Sequence, residues 1–129
     1  MSVMADGEMD SPRRRKPSEE AVAGREAVAL VRHLNRQLGL WQASSVKLHT
    51  MAERLRATGR ADPSVIEEVR TLFRVVSHEA QRFEGTLPDY PPAIANHGRI
   101  SDTRQSFEMI TERLRQTLRL LGSQLPVDE

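Results

Sequence analysis

The chain has 129 residues, about the length of one domain, and no cysteine, which excludes disulfides and thiolate metal sites. Nineteen basic and eighteen acidic residues give a formal charge of +1, and no segment is basic enough by itself to indicate a nucleic-acid interface. Only 38% of the residues are hydrophobic and 4% are aromatic. Such a composition suits helices packed along narrow seams, and we expect a second copy or another protein to bury the remaining apolar surface.

Residues 1 to 17 show no periodicity and are predicted to form a disordered charged tail. Ser11 precedes a proline, which makes it a candidate site for proline-directed phosphorylation. A basic cluster follows at Arg13, Arg14, Arg15 and Lys16. The cluster fits nuclear import or phosphate binding, but a solvated tail whose charges bind nothing specific is the favoured interpretation.

A long helix is predicted from about residue 19 to residue 58. Ser18 is a suitable N-cap, Glu19 and Glu20 suit the positive end of the helix dipole, and Gly59 is a typical stop. Apolar or small side chains recur at steps of three and four, which places them on one stripe of the helix. The stripe comprises Ala27, Leu30, Leu34, Trp41, Ser44, Leu48, Met51 and Leu55.

Gly39 leaves two architectures open within this stretch. Either the helix is continuous and about 60 Å long, or the chain turns at residues 38 to 40 and adds a fourth helix to a bundle. One interior glycine costs only ~1 kcal/mol relative to alanine, and helix hairpins usually contain further turn residues. We therefore favour the continuous helix.

A second helix is predicted from residue 63 to residue 84, with Asp62 as cap and a proline in the first turn. Its apolar face comprises Val65, Val69, Leu72, Val76 and Phe83. Residues 85 to 101 contain three prolines and are predicted to be an irregular loop. A loop of this length is often functional or mobile.

The last helix is predicted from residue 102 to residue 121, capped by Ser101 and Asp102 and ended by Gly122. Its seam comprises Phe107, Ile110, Leu114, Leu118 and Leu121. Residues 126 to 129 are expected to be a frayed terminus. The sequence therefore predicts an all-α domain over residues 18 to 125, with coiled-coil-like packing of its helices.

Two of the four histidines lie in short stretches that resemble phosphorylation motifs. Val76-Ser77-His78-Glu79 resembles the phospho-accepting box of sensor histidine kinases, although a continuing helix replaces that family's proline. Leu48-His49-Thr50-Met51 is similar to a histidine phosphotransfer motif, with Ala52 and Glu53 where that family carries lysine and glycine. The resemblance implies that His78 or His49 accepts a phosphoryl group. We favour both as ordinary residues on the flanks of amphipathic helices.

The sequence contains none of the patterns on which common enzyme sites are built. The histidine spacings do not match a helical metal site, no glycine-rich phosphate loop is present, and no serine occupies a nucleophile elbow. We expect no catalytic, cofactor-binding or metal-binding residue.

No apolar run approaches the ~18 residues of a membrane span, so we expect a soluble intracellular protein. Its location would be cytoplasmic, or nuclear if the RRRK cluster is an import signal.

The function favoured by these patterns is a non-enzymatic protein–protein interaction module: an adaptor, a scaffold, an assembly subunit or a chaperone-like protein. We expect a homo-oligomer or a subunit of a hetero-complex. The predicted partner-binding residues are Trp41, Leu48, Met51, Leu55, Phe107, Ile110, Leu114 and Leu118. One alternative is phosphotransfer through His78 or His49. Another is a small nucleic-acid-associated regulator that uses the basic tail, although nucleic acid is not the expected partner.

Overall fold

The structure, a computed structural model, describes residues 18 to 123, and this part of the chain contains helices and no strand. α1 spans Glu19–Ala57, α2 spans Pro63–Thr86, α3 is the single turn Pro92–Ala95, and α4 spans Gly98–Leu120. A 3-10 turn at Leu87–Asp89 follows α2 directly. The predicted all-α fold with a long N-terminal helix is confirmed.

Some predictions concern residues outside the described range. These are the disordered tail of residues 1 to 17 and the frayed end of residues 126 to 129. The candidate phosphorylation site and the basic cluster also fall there: Ser11, Arg13, Arg14, Arg15 and Lys16.

α1 is one continuous helix of 39 residues that passes through Gly39 without interruption. The alternative of a turn at Gly39 is wrong. Ser18 caps the helix as expected, because its hydroxyl oxygen accepts a hydrogen bond from the Ala21 backbone N–H at 3.0 Å. The inward-facing side chains form two series in which neighbours are seven residues apart, the repeat of a coiled coil. They are Val31, Leu38, Ser45 and Ala52 in one series, and Ala27, Leu34, Trp41, Leu48 and Leu55 in the other.

α1 and α4 run parallel and in register. Three side-chain hydrogen bonds join them, and the two residues of each bond are 68 positions apart in the sequence. A constant difference in residue number is the signature of parallel neighbours, whereas antiparallel neighbours keep a constant sum. The bonds run from Thr103 to Asn35, from Arg113 to Ser45, and between His49 and Thr117.

α2 lies antiparallel to α4 and completes a bundle of three long helices. Near the end of α2, Glu84 accepts two hydrogen bonds of 2.7 Å from the Arg104 guanidinium, which lies early in α4. Further back in α2, the Phe73 ring lies under the Arg115 guanidinium, 5.6 Å from its centre, late in α4. α1 packs more extensively against α4 than against α2.

The prediction of an irregular loop over residues 85 to 101 is wrong. α2 continues to Thr86, two short helical turns follow, and α4 begins at Gly98 rather than at residue 102. Prolines stand in the first turn of both short elements, where a missing N–H costs nothing. Ser101 and Asp102 lie inside α4, and the cap is His97, whose Nδ1 accepts a hydrogen bond from the Arg99 backbone N–H at 3.1 Å.

The hydrophobic core lies inside this single chain. Val69, Val76, Ile100 and Leu114 have no exposed surface. The Phe107 ring contacts both Trp41 and Phe83, with ring centres 6.4 and 6.0 Å away. Because the three helices cover one another's seams, those seams do not require a second copy for burial, contrary to the argument from composition. No helix in the described range is long and apolar enough to cross a membrane.

The turn that starts α2 is capped by a titratable carboxylate. Oδ1 of Asp62 accepts hydrogen bonds from the Ser64 hydroxyl at 2.7 Å and from the Ser64 backbone N–H at 3.0 Å. Both bonds favour the charged carboxylate and lower the pKa of Asp62 below its usual 3.8. The resulting stabilisation is present above the unfolded-state pKa and is lost as pH falls through the lowered folded-state pKa.

We expect Asp62→Asn to reduce the acid sensitivity of the fold, because asparagine still caps a helix but does not titrate there. The melting temperature of the wild type should fall more steeply than that of the variant between about pH 5 and pH 2. Asp62→Ala, which removes the cap, should melt below both proteins at neutral pH. Identical pH profiles for wild type and Asp62→Asn would show that the Asp62 carboxylate gains nothing from its bonds to Ser64.

Candidate functional site

The eight residues predicted to bind a partner fall into two groups. Five of them are buried in the core of the chain: Leu48, Phe107, Ile110, Leu114 and Leu118. These five hold the bundle together, so the interpretation of the whole seam as a docking surface has to be corrected. The other three are half-buried and pack against the edge of the core: Trp41, Met51 and Leu55.

A groove between α1 and α2, which we call the α1–α2 groove, is an open and mostly apolar surface lined by two of the predicted residues, Trp41 and Leu48. Its α1 wall is formed by Trp41, Ser44 and Leu48. Its α2 wall includes Glu67, Glu68, Leu72 and Val75. The cavity has a volume of about 630 Å³. The groove is left open because α1 and α2 make the least extensive contact among the three long helices.

Trp41 connects this groove to the core. Its ring packs against Phe107, and the same side chain lines the groove while remaining half-buried. On the opposite wall Val75 is 42% exposed, although its neighbour Val76 is fully buried. A half-buried tryptophan beside exposed aliphatic carbons is typical of a surface that gains free energy when a partner covers it.

The groove is acidic along its α2 edge. Glu67 and Glu68 are exposed, and within the described residues neither carboxylate takes part in an ion pair. The α1 wall contributes no charged side chain. The unpaired carboxylates therefore give one side of an apolar cleft a negative potential.

Sequence reasoning identified Trp41 and Leu48 and missed the α2 wall. Glu67, Glu68 and Val75 lie outside the predicted apolar face of α2, and Val75 lies next to Val76 of that face. The available signal was the valine pair Val75-Val76, since one helix face cannot bury two adjacent side chains equally.

His49 and His78 have different surroundings. Nδ1 of His49 forms a hydrogen bond of 2.8 Å with the Thr117 hydroxyl, which also lies within hydrogen-bond distance of the Arg113 carbonyl oxygen. Nε2 of His49 lies 3.6 Å from the Glu53 carboxylate. His78 is exposed, and the carboxylate of the neighbouring Glu79 pairs with Arg82 at 3.3 Å. Phosphorylation of either histidine stays a prediction.

Among residues 18 to 123, no group of three histidine, aspartate or glutamate side chains is arranged to hold a metal ion. A comparison of the chain with models of known protein families, with curated proteins and with solved structures found no match.

Proposed function

We propose that this protein is a non-enzymatic interaction module that binds an amphipathic helix of another protein in the α1–α2 groove. The observation that carries the proposal is the juxtaposition of Trp41 and Val75 on facing walls of one open cleft. The bound helix would lie where a fourth helix lies in a four-helix bundle, and would cover apolar surface that the three long helices leave open.

The length of the groove sets the length of the partner segment. From Ser64 to Val75 the α2 wall comprises twelve residues, whose first and last Cα atoms are about 16 Å apart at a rise of 1.5 Å per residue. That distance accommodates about three helical turns. The partner helix should therefore present two or three large apolar side chains at spacings of three and four residues.

The negative charges on the rim of the α1–α2 groove favour a partner segment with positive charge. Glu67 and Glu68 are solvated and unpaired in the described part of the chain, so a lysine or arginine beside the apolar stripe of the incoming helix gains an ion pair with little desolvation. Rim charges of this kind contribute mainly to the association rate and to specificity. We expect a basic partner segment to be preferred over an acidic one.

Fluorescence of Trp41 provides a direct test, because it is the only tryptophan in the chain. The probe is a synthetic helical peptide of about 16 residues with leucines at three-four spacing and lysines beside them. Binding should shift the emission to shorter wavelength. Glu67→Gln/Glu68→Gln should weaken binding by about three- to tenfold, and Val75→Asn should weaken it as well.

The matched control is Glu26→Gln/Glu108→Gln, which changes the net charge equally at exposed carboxylates outside the groove. It should bind the lysine peptide as tightly as the wild type does. A peptide with glutamates in place of the lysines should bind more weakly. Equal binding of both peptides, or equal losses in both double variants, would contradict the proposal. A blue shift that appears on raising the protein concentration alone would assign the groove to a second copy of this chain instead.

A further inference from the structure

A second cleft, on another part of the molecule, is lined by cationic groups and by no carboxylate of the described residues. It lies between the first third of α1 and the start of α4, and its volume is about 400 Å³. Arg25 and Arg32 line it from α1, two turns apart, and Arg99 lines it from the first turn of α4. Val28 supplies an apolar side between the two α1 arginines. We call this the basic cleft.

The three guanidinium groups are not neutralised by any residue that the structure describes. Within the described residues Arg25, Arg32 and Arg99 form no ion pair, whereas Arg82, Arg104 and Arg115 each pair with a glutamate. Asp102, three residues after Arg99 in α4, does not line this cleft, although both residues line a neighbouring groove. Three like charges around one concavity repel one another, and a compact anion would offset that repulsion.

His97 adds a further hydrogen-bond donor. Its Nδ1 accepts the Arg99 backbone N–H, so in the neutral ring the proton is on Nε2. That nitrogen lies close to α1, since a Cβ placed on Gly24 would be only 3.4 Å from it. The His97 ring therefore lies beside Gly24 of α1 and lines the cleft.

We propose that the basic cleft binds a phosphate monoester. The guanidinium group matches phosphate oxygens in a two-point geometry, and here guanidinium groups approach from two different helices. Among the described residues, no phenylalanine, tyrosine or tryptophan lines the cleft, so it lacks the large aromatic surfaces that are typical of nucleobase stacking. Its apolar side, formed by Val28, suits a short carbon chain attached to the phosphate, as in a phosphoserine residue. The cleft and the α1–α2 groove share no lining residue, so the two proposals are independent.

The test is a calorimetric titration of the full chain with two probes, inorganic phosphate and a short peptide whose only charged group is one phosphoserine. The phosphopeptide should bind more tightly than inorganic phosphate, because only the peptide also contacts Val28. Arg25→Gln/Arg32→Gln/Arg99→Gln should weaken phosphopeptide binding by about tenfold or more. The phosphopeptide should also raise the melting temperature of the wild type and not that of this variant.

The control is Arg54→Gln/Arg56→Gln/Arg74→Gln, which removes the same charge from exposed arginines outside the cleft. It should bind the phosphopeptide within twofold of the wild type. If both triple variants lost affinity for the phosphopeptide equally, the loss would come from the change in net charge, and the proposal would be overturned. The absence of saturable binding to the wild type would overturn it as well. Tighter binding of inorganic phosphate than of the peptide would contradict a monoester ligand. All the substituted arginines are exposed, so both variants should keep the wild-type melting temperature without ligand.

Discussion

Leu114→Ala is expected to destabilise the fold by about 3 kcal/mol, a large part of the stability of a domain of this size. Leu114 has no exposed surface and lies on α4, the helix that packs against both α1 and α2. Truncation removes buried methyl groups and leaves a cavity that rigid helices on two sides fill only in part. Chemical denaturation followed by circular dichroism measures the change as a shift in the unfolding midpoint.

Met109→Ala is the matched control, since Met109 lies on the same helix and is 55% exposed. It should change the free energy of unfolding by no more than about 0.5 kcal/mol. The midpoint of Leu114→Ala should not depend on protein concentration, because the seam is buried within one chain. A midpoint that rises with concentration would show that Leu114 packs against a second copy. Equal effects of the two substitutions would contradict the described core.

Gly39→Pro is expected to cost about 3 kcal/mol or more, because Gly39 lies in the middle of a continuous helix. Proline removes one backbone hydrogen bond and its ring collides with the carbonyl one turn earlier. Gly39→Ala should have the opposite effect and raise the free energy of unfolding by about 0.5 to 1 kcal/mol. A Cβ at this position meets no atom within 4 Å, so the added methyl group causes no clash.

Gly59 provides the control for Gly39→Ala. Its φ of 68° lies in the left-handed region, where a Cβ is strained. Gly59→Ala should therefore destabilise the fold by about 1 kcal/mol. Thermal and denaturant unfolding of Gly39→Pro, Gly39→Ala and Gly59→Ala shows which substitutions stabilise the fold and which destabilise it. Destabilisation by Gly39→Ala would indicate that the chain turns at Gly39 after all.

The two proposed binding surfaces depend on relations that no local pattern reveals. The α1–α2 groove combines Trp41, a heptad residue, with Val75, which lies off the heptad of a different helix. The basic cleft combines Arg25 and Arg32 with Arg99, more than sixty residues away. Nothing in the sequence near Arg32 or Arg99 indicates that the two residues meet. In the described part of the structure they line one cleft, and no carboxylate lines it with them.

The sequence by itself determined the class of the fold, the length of α1 and most helix ends. Caps such as Ser18 and Asp62, and the spacing of apolar residues, act over a few neighbouring positions, so they can be interpreted without knowing what the helix packs against. Only the tertiary structure decided which apolar residues are covered and which remain open. Burial depends on the partner helix and on its register, here the parallel alignment of α1 with α4, and register is a property of the whole bundle. The helical turns between α2 and α4 were also decided by the tertiary structure. Packing of α3 against α1 stabilises a helical turn in a proline-rich segment that has only a weak preference for helix.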